Sequence, residues 1–169
     1  ANYVAGRDFD PEPGYDDDPS PDWVYDYHGT PCAGLAVAAG NTLGVRGVAP
    51  GCGLIGIKFF ATRADGTAAA FYYAMDPNGD GDHSDGAAVL SNSWSYVDGL
   101  EQPPVVVEAI ETVAAQGRNG KGCLILFSAA NNDHTVDGVS AIAQLETVMC
   151  IGASNSLAKH AEYSDVGPE

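Results

Sequence analysis

Two short, uninterrupted apolar runs constrain this chain more than any other feature: Cys123-Leu124-Ile125-Leu126-Phe127 and Val148-Met149-Cys150-Ile151. Runs of this length without polar alternation suit strands covered on both faces, as in parallel sheets. Two further runs extend the pattern, Leu54 to Phe60 and Val89 to Ser93. Helix is expected from about His28 to Ala39, stopped by Gly40-Asn41, and from Thr67 to Met75, with Asp65-Gly66-Thr67 marking its start. Pro104 opens a third helix to about Gln116, with Val107, Ile110, Val113 and Ala114 on one stripe and Gly117 ending it. Strands alternating with helices imply right-handed crossovers and a doubly wound, mostly parallel α/β sheet with helices on both faces. Residues 1–27, rich in Asp, Pro and Gly and without periodicity, read as an ordered loop or a metal-bound surface segment. With no internal repeat and no linker, the 169 residues read as one α/β domain or part of one.

Charge narrows the partners. Seven Lys plus Arg stand against 23 Asp plus Glu, a net charge of −16. Phosphate backbones and anionic membranes would be repelled, whereas calcium or a basic peptide would be attracted. No apolar stretch approaches the roughly 18–20 residues that span a bilayer. The opening Ala1-Asn2-Tyr3-Val4 lacks the basic start and apolar block of a signal peptide, so a mature or excised product is expected. Cys32, Cys52, Cys123 and Cys150 show no C-x-x-C spacing, which argues against zinc. Cys123 and Cys150 in strand-like runs and Cys32 in a helix suit buried free thiols, and a disulfide is left unassigned.

The chemistry centres on His28-Gly29-Thr30-Pro31-Cys32-Ala33-Gly34, an imidazole at the mouth of a helix built of small residues. Such a helix can pack closely and hold a general base rigidly. The heptad resembles the histidine signature of the subtilisin-like serine proteases, the subtilases, with the Cys variant of the proteinase K and kexin/furin branches. Phe127-Ser128-Ala129-Ala130-Asn131-Asn132 resembles their A-A-G-N segment, with Ala130 in place of glycine. It follows a buried strand, where open α/β sheets place ligands. The resemblance makes the Asn131 amide a donor to the oxyanion of the tetrahedral intermediate, with Asn132 as competitor. Losing such a donor costs about 3–4 kcal/mol, a magnitude measured in a subtilisin. Ser93-Trp94-Ser95 resembles the segment whose backbone pairs with substrate as an added strand, with Ser95 replacing glycine. Core packing is the competing role for Trp94.

Asp98, four residues beyond Trp94, and Asp137 of Asp137-Gly138 match carboxylates that line the specificity pocket of the kexin/furin branch. Two acids there would select Arg or Lys through charge-assisted hydrogen bonds. Asn2-Tyr3, Phe9-Asp10 and Asp16-Asp17-Asp18-Pro19 resemble that branch as well. Asp76, Asn78, Asp80, Asp82 and Asp85 place oxygen donors at near-alternate positions with Gly81 at the turn, the start of an EF-hand-type calcium loop. Asp10, Asp16 and Asp18 match a second calcium site of the kexin/furin branch, with one residue inserted. His83, His134 and His160 read as surface residues, Arg46 and Lys58 as structural or exposed ones, and Tyr163–Gly167 as a loop without a catalytic role.

A subtilase triad runs Asp, His, Ser. No apolar run precedes Asp8 or Asp10, and no G-T-S-x-A-x-P appears before Glu169. The expectation is therefore an internal fragment of a calcium-dependent endopeptidase, incomplete at both ends, inactive alone and completed by complementary fragments of the same protease. Its substrate would be a peptide or protein with basic residues, and its location extracellular or periplasmic. The rival is a non-catalytic calcium-binding module that kept the fold.

Overall fold

The computed structural model describes residues 2–9, 17–22, 24, 26–59, 63–96, 102–133 and 140–167. They fall into two compact units, Ala1–Phe60 and Ala61–Glu169. The first holds β1 (Asn2–Asp8), α1 (Gly29–Val37) and β2 (Gly53–Lys58). The second holds α2 (Ala64–Met75), β3 (Val89–Asn92), α3 (Pro104–Gly120), β4 (Leu124–Ser128) and β5 (Val148–Ile151). Strands β1 and β2 pair in parallel, and β3, β4 and β5 form a second parallel sheet in that order. This is the expected α/β class, and the long helices and apolar strands fall within a few residues of their sequence positions. Among the described residues no helix is long and apolar enough to cross a membrane.

In the second unit the core lies where α2 and α3 pack on one face of the sheet. Helix α3 buries Val106, Ala109, Ile110 and Val113, an i, i+3, i+4, i+7 stripe that shares Ile110 and Val113 with the expected one and replaces Val107 and Ala114 by Val106 and Ala109. Helix α2 buries Thr67, Ala68, Ala70, Phe71, Ala74 and Met75, and Phe71 stacks on Phe127 of β4 at 6.4 Å. It begins at Ala64, not Thr67, because the Asp65 carboxylate pairs with Arg63 (2.7 Å) while the Thr67 hydroxyl donates to the Arg63 carbonyl. In β4, Ile125 and Phe127 are buried, yet Leu124 is 45% exposed and Met149 of β5 51%. The other side of these strands is therefore open among the described residues, although the apolar runs suggested cover on both.

The first unit corrects the reading of residues 1–27 as loop. Asn2–Asp8 is a strand, in register with Gly53–Lys58 apart from an irregularity between Tyr3 and Ala5. Gly6 and the terminal Asp8 break the apolar pattern by which a strand is recognised. The ladder with β2 and an ion pair supply the missing stabilisation. At the end of that ladder Asp8 faces Lys58, whose Nζ lies 3.1 Å from Asp8 and 3.2 Å from Asp26 and also donates to Asp22. The Lys58 side chain is 9% exposed and that of Asp8 2%. Burial opposes the ammonium charge, but the hydrogen bonds it donates to three carboxylates outweigh this and lift the Lys58 pKa above the usual lysine range.

Substituting Lys58→Met leaves a buried carboxylate without its cation, and is expected to cost about 3 kcal/mol in urea unfolding. The raised pKa also fixes a sign. The stability Lys58 contributes is whole below the unfolded-chain lysine value of about 10.4 and declines as pH rises from there toward the folded value. Urea midpoints measured from pH 8 to 11.5 should therefore fall more steeply for the wild type than for Lys58→Met.

Candidate active site

His28 stands at the N-terminus of α1 as an exposed residue, with no side-chain capping bond. One turn on, the Cys32 thiol lies 3.9 Å from its Nε2. The helix behind it is fixed from its far end. Backbone N–H groups of Gly47, Val48 and Ala49 donate to the carbonyls of Ala38, Leu35 and Ala36 at 2.8–3.0 Å, satisfying the orphan carbonyls of the last turn. A Cβ on Gly47 would sit 2.4 Å from the Ala38 nitrogen, so only glycine permits this approach. The Gly47–Pro50 turn is thus the C-terminal clamp of the helix that carries His28.

Asn131 and Ser93–Ser95 leave the second sheet at the same end. β3 and β4 are parallel with Asn92 opposite Phe127, so both chains depart at the carboxyl edge of neighbouring strands. The β3 ladder ends at Asn92, and Ser93 and Ser95 beyond it are exposed. Trp94 is half-buried. Its ring meets Phe127 edge-on at 5.0 Å and Tyr96 at 5.5 Å, and its Nε1 donates to the Asn92 side chain. Asn92 in turn donates to the Leu126 carbonyl. Core packing is thus a role Trp94 fills, while its serine neighbours stay open to solvent.

Past β4 the chain bends sharply. Ala130 adopts φ +80°, a left-handed conformation that favours glycine. Asn131 and Asn132 are both exposed, but Asn132 is tied down, its backbone N–H and its Nδ2 donating to the two oxygens of Asp165 at 3.0 and 3.2 Å. Asp165, 2% exposed, also sends its own N–H to the Ala130 carbonyl. Sequence reasoning gave the Tyr163–Gly167 segment no part in the site. Only the unpromising Tyr-Ser-Asp run hinted at it, since nothing local shows which loop a distant carboxylate will meet.

The acidic segment 76–86 is an excursion between α2 and β3 that closes where Ala87 donates to the Ala74 carbonyl. Left-handed turns at Gly79 (φ +71°) and Gly81 (φ +82°) fold it back, and both donate their N–H to Asp76. Asn78 Nδ2 bridges Asp80 and Asp85 at 3.2 and 2.8 Å. Asp82 accepts from Ser84 N–H and from Asn119 Nδ2 of α3. The Asn119 bond, seconded by Ser84, lowers its pKa. His83 is drawn into the same contact: its N–H donates to Asn119 and its ring lies 3.3 Å from the Gln116 carbonyl. These carboxylate and amide oxygens suit a hard cation such as calcium. As described, amides and backbone N–H groups occupy them, and no three His, Cys, Asp or Glu side chains gather as metal ligands among the described residues.

Asp10, Asp16, Asp98 and Asp137 lie outside the described residues, as does His134. Asp18 is exposed, and hydrogen bonds from the Ser20 side chain and then from the Ser20 N–H lower its pKa. All four cysteines are free. Cys123 is buried, its thiol donating to the Ala87 carbonyl at 2.9 Å. Cys150 is exposed despite its apolar strand, because the open side of the sheet faces it to solvent.

The family model of the subtilases, peptidase family S8, matches residues 1–169. The chain belongs to the subtilase family. Over 156 residues it is 36% identical to a calcium-dependent protease of Trichormus variabilis, covering 84% of this chain and 22% of that protein. Over a further 156-residue match it is 30% identical to a dibasic-processing endoprotease of Yarrowia lipolytica, covering 88% of this chain and 15% of that protein. The chain thus spans about a fifth or less of these relatives. In fold it is similar to the protease domain of PatA in its S218A mutant, with a TM-score of 0.65 and 22% identity over 87% of this chain and 50% of that one. The parallel α/β architecture of both units is accordingly subtilisin-like.

The subtilase pattern has glycine where this chain has Ala130, and the positive φ gives that preference its physical reason. Ala130→Gly is expected to raise stability by about 0.5–1 kcal/mol, the left-handed strain relieved less the entropy glycine adds to the unfolded chain. A higher urea midpoint with an unchanged m-value would register the gain.

Proposed function

We propose that residues 1–169 are part of one catalytic domain of a calcium-dependent serine endopeptidase that cleaves after basic residues, with the partner aspartate and serine supplied by polypeptide outside them. The observation that carries this reading is the exposure of Asn131 at the carboxyl edge of β4 while its competitor Asn132 is committed to Asp165. In this scheme His28 takes the proton of the serine hydroxyl as it attacks the scissile carbonyl, then returns it to the leaving amine. The Asn131 Nδ2 group donates to the oxyanion as it forms. The backbone of Ser93–Ser95 pairs with the extended substrate, and Asp98 and Asp137 receive a basic side chain. The names of the dibasic-processing and calcium-dependent relatives agree with that preference and with the cation requirement.

Asp76, Asn78, Asp80, Asp82 and Asp85 would hold one calcium ion, and Asp10, Asp16 and Asp18 a second. Bound calcium supplies positive charge that relieves carboxylate repulsion and orders the loops. The net charge of −16 disfavours nucleic acid and anionic membranes as partners. An extracellular or periplasmic setting supplies the calcium, and complementary segments of the same protease complete the triad.

In the full-length protein Asn131→Ala should lower kcat by 10²–10³, the range known for this donor in a subtilisin, with KM little changed. Release of p-nitroaniline from an Arg-ended peptide should exceed that from a Phe-ended one, and equal or reversed rates would discard basic specificity. Chelation should lower the thermal midpoint, calcium at 100 times its Kd being worth about 2.7 kcal/mol. Replacing Asp76 and Asp80 together by Asn should abolish most of that sensitivity, as scanning calorimetry with and without EGTA would show.

A further inference from the structure

We infer that Asp165 is a positioning residue for the oxyanion donor, an assignment that rests on the role proposed above for Asn131. Three hydrogen bonds of Asp165 hold the two peptide units on either side of that residue. The Asp165 N–H donates to the Ala130 carbonyl, which belongs to the peptide entering Asn131 (3.2 Å). Its carboxylate accepts the Asn132 N–H, which belongs to the peptide leaving Asn131 (3.0 Å). The second carboxylate oxygen takes the Asn132 amide at 3.2 Å, which keeps that side chain away from the open edge. With both flanking planes fixed, the backbone rotations at Asn131 are fixed, and its amide projects from a defined point.

The clamp is itself anchored. Ser164, 2% exposed like Asp165, accepts the Ala153 N–H at 2.9 Å through its hydroxyl, tying the segment to the chain that leaves β5. One residue earlier the Tyr163 carbonyl accepts the Asp133 N–H at 3.1 Å, and Ala129 donates to Ile151 of β5 at 2.9 Å. Residues 129–133 are therefore braced on both sides, with Asn131 between the braces. This bracing also holds Ala130 in its left-handed conformation. An oxyanion donor works only if its position is set before charge develops, and a displacement of about 1 Å costs on the order of a hundredfold in rate.

The test is a double-mutant cycle in the full-length protease at saturating calcium, with rates normalised to active sites titrated by a fluorophosphonate. Asp165→Asn keeps the shape but turns one acceptor into a donor facing an N–H, and should lower kcat about tenfold with KM changed less than twofold. In an Asn131→Ala background the same substitution should change kcat less than twofold, because the donor it aligns is gone. A full tenfold loss in that background, or none in the wild type, overturns the inference. A loss confined to the number of titratable sites does so too, since it marks folding alone. If Asn131→Ala by itself leaves kcat unchanged, the oxyanion role falls first and this assignment with it. Should Asp165→Asn not fold, Asn132→Ala removes one bond from an exposed residue and must show the same dependence on Asn131 with a smaller loss.

Discussion

The parallel, in-register pairing of β3 with β4 is the constraint on which the second unit depends. With Val89 opposite Leu124 and Asn92 opposite Phe127, two strands far apart in sequence end level with each other. Whatever follows them is delivered to one edge, on top of a core that α2 and α3 seal from one side. Ser93–Ser95 and Asn131 share that edge because of the ladder, not because of any contact between them. The half-buried Trp94 joins the two layers, with its ring on Phe127 and its indole N–H on Asn92. Packing and presentation are therefore served by adjacent residues of one segment, the indole inward and the serines outward.

Electrostatics divides the acids of this chain into two kinds. Asp8, Asp22 and Asp26 converge on a single lysine, which brings its own cation into the end of the β1–β2 ladder. Asp76, Asp80, Asp82 and Asp85 lie on an exposed loop and are satisfied by amides and backbone N–H groups. In the first set Asp8 is buried and needs its internal counter-charge, since removing the lysine would leave that carboxylate in a poorly screened place. The second is exposed and free to exchange partners with the solvent. The bond from the Asn119 amide to Asp82 ties this loop to the end of α3.

Much of this was legible in the residues, and the limits have physical causes. Apolar patterns gave β4 and β5 within a residue, and Pro104 and Gly117 gave the start of α3 and the break in its helical backbone, because side-chain burial and glycine and proline geometry dominate there. Strand β1 escaped notice because its stability comes from a partner strand and from Lys58 rather than from its own pattern. The open side of β4 and β5 escaped notice too, since an apolar run records what a strand can bury and not what covers it. The preference for Asn131 over Asn132 rested on motif register alone. The structure adds a physical ground, an Asp165 carboxylate that occupies the second asparagine.

By itself the sequence determined the α/β class, the order of most elements, the family through its histidine heptad and asparagine segment, and the acidity that limits partners. Those are properties of local pattern and composition, which the linear chain carries in full. Tertiary structure alone decided that the acids near the N-terminus close on Lys58, that the Gly47 turn caps the helix behind His28, and that a late Asp braces the segment holding Asn131. Each of these is a hydrogen bond or ion pair between residues that only folding brings together. Their strength depends on burial and geometry that no spacing along the chain encodes.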